Sequence, residues 1–209
     1  MPRRTLKYRM YPTKKQTIIL LHWLNVCRYL YNELLADRKN AYDRCGIGLN
    51  YNQQAGQLKY MNLDLYSQVA QDVIRRLDKA FRNFFRRVKN GEEPGYPRFQ
   101  DRNRYDSFTY PQSGFKILGD GKLKLSKIGT IRIFMHREIE GKVKTCTIRR
   151  DGDQWYACFS VELPDPKPKE ILTSTGVDVG ITTLATLSDG TVIENPKTLD
   201  KYDSKLRKV

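Results

Sequence analysis

The chain has 209 residues, with 38 Lys and Arg against 23 Asp and Glu, a formal net charge of +15 and a pI near 9.7. That length accommodates one or two domains, and a hydrophobic fraction of 39%, with 13 Tyr and 8 Phe, suffices for real cores. The excess of positive charge points to a polyanionic partner, nucleic acid before any other, or to a basic soluble factor of the ribosome-associated kind.

The four cysteines, Cys27, Cys45, Cys146 and Cys158, contain no CxxC pair, and His22 and His136 stand alone. No zinc is expected in such a chain, nor a disulfide framework. The amino terminus "MPRRTLKYRMYP" lacks the apolar core of a signal peptide, and no run approaches a transmembrane length. The expected location is intracellular, with no membrane partner.

In chain order, "RTLKYRMYP" alternates, with Leu6, Tyr8 and Met10 on one face and Lys7, Arg9 and Tyr11 on the other. This predicts a half-buried strand. Thr13 followed by Gln16 is a capping-box pattern. Leu20, Leu24, Cys27, Tyr31 and Leu34 then recur at helical spacing, predicting a helix, single or broken in two, that ends at "RCGIGLN". "YNQQAGQLKYMN" reads as a further, weaker helix.

Leu65 to about Asn90 carries the clearest helical period: Ala70, Val73, Leu77, Phe81, Phe84 and Val88 form one stripe. Arg75, Lys79, Arg82 and Arg86 fall on the opposite face. Asp78 lies at that face's edge, and the middle of the face reads as unneutralised, either a solvated surface or a contact to phosphate.

From Ser107 to Leu163 the pattern changes to short strands with bends at "GDG" and "DGD". Trp155, Ala157, Phe159, Val161 and Leu163 alternate with polar neighbours. An antiparallel sheet closed into a barrel is expected, with the amino-terminal strand a member and the helices an insertion. The linker "LPDPKPKE" precedes three strands in a meander, "TSTGVDVGITTLATLSDGTVIENP", and the start of a polar helix. In "GVDVG" the side chain of Asp178 faces away from Val177 and Val179. A carboxylate in that position calls for a partner, and a divalent metal is the type that suits it. Asp189 reads as a turn residue and Glu194 as a surface residue. Tyr51, Asn52, Gln53 and Gln71 are residue types able to contact bases as well as ordinary surface polar groups.

Taken together, "YPTKKQ", "CRYLYNELLADR", "LDKAFRNFFRRVKNG", "GYPRFQ" and "GVDVGI" resemble, in order, the TnpB family, the OrfB-type proteins of insertion sequences related to type V CRISPR effectors. The resemblance implies an α+β chain: an antiparallel wedge β-barrel (1–12 and 91–170), an inserted helical recognition lobe (13–90) with a helix-turn-helix-like start, and the first strands of a ribonuclease-H, RuvC-like fold (171–209). It implies an RNA-guided, Mg²⁺-dependent DNA endonuclease of the prokaryotic cytoplasm, at the nucleoid. Its partners would be a guide RNA from the element's own end and duplex DNA bearing a short flanking motif. Asp178 then corresponds to the first of three nuclease carboxylates and so to a metal ligand. Tyr51, Gln71 and Thr109 resemble residues that contact the flanking motif, although Ser67 stands where the family often has a basic residue.

The family's later Glu, zinc ribbon and final Asp have no counterpart in this sequence. The expectation is therefore an RNA- and DNA-binding part that does not cleave alone and whose residues beyond about 171 are poorly stable by themselves. Two other readings stay open: a nuclease-dead RNA-guided DNA-binding regulator, and a fragment of an actin-like or sugar-kinase-like ATPase, whose phosphate hairpin "GVDVGITTLATLSDG" would also fit.

Overall fold

A computed structural model describes residues 2–165, 173–198 and 201–203. Contacts divide the chain into two units, Met1–Asp165 and Pro166–Val209.

The first unit opens with β1 (Arg3–Tyr11), which buries Leu6, Tyr8 and Met10 and exposes the residues between them, as the alternation predicts. Thr13 caps the helix that follows. Its Oγ1 accepts from the Gln16 amide while Gln16 Oε1 accepts from the Thr13 amide, so two otherwise orphaned N–H groups are satisfied. That helix, α1 (Lys14–Cys45), is continuous and ends where Gly46 takes a left-handed φ of 65°, a conformation glycine adopts without a Cβ penalty. Two shorter helices follow it: α2 (Tyr51–Gln57) with a 3-10 turn at Leu58–Tyr60, and the long α3 (Ser67–Lys89).

Beyond the helices come β2 (Ser107–Tyr110), β3 (Phe115–Leu118), β4 (Lys122–Leu125), β5 (Gly129–Phe134), β6 (Lys142–Asp151) and β7 (Gln154–Glu162). They join β1 in one antiparallel sheet of order β2-β6-β7-β1-β5-β4-β3. The helices are thus inserted between strands of one sheet. Both hairpin turns form as read: Asp120 and Gly121 have positive φ between β3 and β4, and Gly152 does between β6 and β7.

The closed barrel expected from the sequence is not formed, since β2 and β3 are separate edges. Seven flat strands about 4.8 Å apart would put those edges about 29 Å from each other. Five Cα steps from Tyr110 to Phe115 reach at most about 19 Å, so the sheet must curl. The link "PQSG" bridges the seam without a ladder, and the helical insert holds it there. Tyr66 Oη shares a hydrogen bond with Ser113 Oγ, and Gln68 accepts from the Ser113 amide. Gly114 has a φ of 86°, and a Cβ on it would collide with the rings of Tyr66 and Tyr110.

The curled sheet's inner face and the helices share one core. Trp23 of α1 packs with Phe108 at 5.5 Å and Tyr110 at 6.2 Å between ring centroids. Leu20, Leu34, Leu77, Ile131, Ile148 and Phe159 lie in the same cluster. Among the described residues no helix is long and apolar enough to cross a membrane.

The second unit contains β8 (Val177–Val179), β9 (Thr183–Leu187) and β10 (Val192–Glu194) in an antiparallel meander with β9 central. The register puts Val177, Val179, Ala185, Leu187 and Ile193 on one face. Only Ala185 of these is buried, and Val179 is 74% exposed. Thr198 and residues 201–203 are helical, as read for the polar segment; 199–200 and 204–209 of that segment, 166–170 of the predicted linker and 171–172 lie outside the described residues.

Candidate nucleic-acid interface

Helix α3 is built to present two unlike faces. Val69, Ala70, Val73, Ile74, Leu77 and Phe81 are buried, which anchors the helix against α1, α2 and β2. At about 100° per residue, Gln71, Arg75, Lys79, Arg82 and Arg86 then occupy an arc of about 80° on the outside.

This face is more neutralised than the sequence reading held. Arg82 pairs with Asp78 at 3.1 Å and Arg86 with Glu92 at 3.5 Å. Asp78 precedes Arg82 by four residues, the spacing at which helical ion pairs form, so the signal was present in the sequence. Among the described residues Arg75 and Lys79 have no carboxylate within 4.0 Å, and both are exposed. They are the cations of this helix face most open to a phosphate.

Tyr51, the first residue of α2, is placed by a second capping box, between Asn50 and Gln53. The Arg75 guanidinium lies 5.9 Å from the centre of its ring. Gln71, one turn before Arg75, is half-buried and borders a cleft of about 290 Å³ with Leu58, Met61 and Leu63. Tyr51, Gln71 and Arg75 therefore form one group where α2 meets α3.

Thr109 sits apart from that group, on β2. Its hydroxyl accepts from Arg76 Nη2 at 2.7 Å and shares a bond with Thr147 at 2.9 Å. Arg76 also donates to Asp72 and to the Ser107 carbonyl. This arginine, adjacent in sequence to Arg75, is a tie between α3 and β2 rather than part of the outer face. Asp72, four residues earlier, is the signal in the sequence that marks it.

Arg38 is a second residue that sequence reading missed. It is 6% exposed, donates to Gln54 Oε1 at 2.7 Å and to Asp78 at 3.3 Å, and lies 4.9 Å from the Phe81 ring centre. Gln54 in turn donates to the Leu34 carbonyl. A further concavity of about 600 Å³ is lined by Arg28, Arg102 and Arg150 together with Asp106 and Asp151. Hydrogen bonding to Arg28, reinforced by its charge and by Arg102, holds the nearby Tyr29 phenol below its ordinary range.

In the second unit Asp178 is exposed on the edge strand β8, opposite Thr186. It lies on the face opposite Val177 and Val179, as the alternation requires. Asp189 is a turn residue: its Oδ1 accepts from the Thr191 amide at 2.9 Å, which holds the carboxyl below its ordinary range. Glu194 is exposed on β10. Among the described residues no group of three His, Cys, Asp or Glu side chains could hold a metal ion. One carboxylate does not make a Mg²⁺ site, which takes near-octahedral oxygen coordination, so the described residues do not by themselves fit the expected ion.

A family model described as a helix-turn-helix domain, of the OrfB IS605 type, matches residues 1–46, the stretch that folds as β1 and α1. "Putative RNA-guided DNA endonuclease InsQ" of Escherichia coli is 29% identical over 97% of this chain and 52% of its own length. A Streptomyces pristinaespiralis protein named "Putative RNA-guided DNA endonuclease" is 32% identical over 93% of this chain and 50% of its own. The chain is homologous to the TnpB/OrfB-type proteins. A Mycobacterium tuberculosis protein, "Putative RNA-guided DNA endonuclease Rv2885c", is 33% identical over 57% of this chain. The chain spans about half the length of the first two relatives, and the likeness to them runs through both of its units.

Proposed function

We propose that this chain is the guide-RNA- and target-DNA-binding part of a TnpB-like RNA-guided DNA endonuclease. The observation that carries the reading is the group at the α2–α3 junction. Arg75 and Lys79 offer unpaired charge beside Tyr51 and Gln71, on a chain of net charge +15. The names of the relatives support it from outside.

In this reading the guide's folded scaffold lies against the wedge-like sheet and the cationic face of α3. Gln71 can read an adenine through its two-pronged amide, and Tyr51, stiffened under Arg75, offers a ring beside it. The Thr109 hydroxyl is already shared between Arg76 and Thr147, which leaves its methyl group to meet a thymine methyl. Asp178 would be one carboxylate of a RuvC-like nuclease in the complete protein, where Mg²⁺ would activate water and stabilise the leaving oxygen. The proposed place of action is the prokaryotic nucleoid.

A salt titration tests the binding claim. Affinity for the transcript flanking the gene should fall linearly in log–log form as salt rises, by about 0.7 to 0.9 in slope per neutralised phosphate. Arg75→Gln together with Lys79→Gln should lower that slope by about 1.5 to 2. An unchanged slope would remove α3 from the interface.

A further inference from the structure

The outward face of the large sheet holds a pattern that the α3 site does not use. Arg9 of β1 stands opposite Phe134 of β5, and Tyr11 stands opposite Arg132. Residues opposite one another across an antiparallel pair share a face. These four thus form a two-by-two block in which cation and ring alternate in both directions. All four are exposed, Phe134 to 59% and Tyr11 to 47%.

The block continues sideways. Lys122 is opposite Arg132, and Lys116 is opposite Lys124 on the next pair of strands. On the other flank Tyr156 is opposite Arg9 and Arg149 opposite Tyr156. Lys7 and Arg149 on that flank are ion-paired, with Asp151 and Asp106. Among the described residues none of Arg9, Lys116, Lys122, Lys124 and Arg132 has a carboxylate within 4.0 Å.

A solvated sheet face alternates polar residues with the buried ones and has no call for large rings. Two adjacent aromatic side chains open to water, with unpaired cations around them, is the informative departure. Diagonal neighbours across a strand pair lie about 7–8 Å apart, so Tyr11 and Phe134 are spaced for successive splayed bases and not for a stacked duplex. Arg9 also lies 5.5 Å from the Tyr11 ring centre, and His136 stacks on Phe134 at 6.1 Å, which limits the motion of both rings.

We propose that this face is a platform for a single-stranded polynucleotide, with Tyr11 and Phe134 stacking unpaired bases and Arg9, Arg132, Lys122 and Lys124 meeting the backbone. Stacking of this kind is indifferent to base identity, because every base has a π-face, and it requires the strand to be unpaired. The inference rests on the nucleic-acid reading above and adds to it the face of the sheet that is engaged, its stacking residues and the form of strand they take: an unpaired stretch of RNA or a displaced DNA strand.

The test uses the full chain and labelled oligo-uridine and oligo-thymidine of about 12 nucleotides, with a hairpin duplex alongside. Tyr11→Leu and Phe134→Leu keep exposed apolar bulk, and circular dichroism melts check that the fold survives. Each should weaken single-strand binding about five- to 100-fold, with salt slope and duplex affinity unchanged. A larger loss on one oligonucleotide identifies which strand the face serves. Unchanged single-strand affinity, or an equal loss on the duplex, overturns the proposal. If Lys79→Gln weakens binding while the two ring variants do not, this inference fails and the α3 site stands. If neither oligonucleotide nor duplex binds, both fail.

Discussion

Cys27 and Cys45 lie on the same helix and differ in environment alone. Burial pushes the Cys27 thiol from its ordinary 9.0 up to about 12, against the opposing pull of Arg76, whereas Cys45 is exposed. Alkylation of the native protein near pH 8 should therefore mark Cys45 and spare Cys27 until the chain unfolds. The sign of the pH dependence follows. The unfolded thiol ionises near 9.0 and the folded one near 12, so this group's contribution to stability is intact below pH 9 and lost as pH rises toward 12. Denaturant midpoints measured across that window should fall less steeply in Cys27→Ala than in the parent. At this scale the sequence was half legible. The stripe Leu20, Leu24, Cys27, Tyr31 and Leu34 announced what is buried, all five of them. It did not announce which arginines are tied down, because Arg75 and Arg76 differ by only about 100° around α3 and only the packing against β2 separates them.

The elements depend on a few polar ties across their seams. Arg38 joins α1 to Gln54 of α2 and Asp78 of α3 in one buried set of bonds. Arg38→Ala would leave the Gln54 acceptor buried without a partner and leave Asp78 with Arg82 alone. The expected cost is about 2–4 kcal/mol, discounted because Asp78 keeps some contact with water. Chemical denaturation should show a lower midpoint at an unchanged slope, and a loss under about 0.5 kcal/mol would remove Arg38 from this role. Period and capping made β1, α1, α3 and the hairpins readable, since each is fixed by local sequence. Closure was not readable. The curl depends on "PQSG" being held by Tyr66 and Gln68 from the helical insert, residues more than 40 positions away in the chain.

For the molecule as a whole, charge and motif order were legible and the completeness of the site was not. The first unit has a shared core of helices and sheet. The second has a three-stranded meander whose apolar face leaves Val177, Val179 and Ile193 exposed. Asp178 was located by the alternation of "GVDVG", but no period or composition reports whether other carboxylates converge on it, and among the described residues no group of three His, Cys, Asp or Glu side chains forms a metal site. The proposed role is recognition: a basic chain that takes a guide RNA and, with it, a target beside a short flanking motif. The most direct measurement loads the chain with its flanking transcript and selects bound duplexes from a library randomised beside a guide-complementary target. Guide-dependent enrichment next to a fixed short motif is expected, with Gln71→Ala relaxing one motif position by about five- to 100-fold. Binding that is the same with and without the matching guide, or a motif indifferent to Gln71, would contradict it.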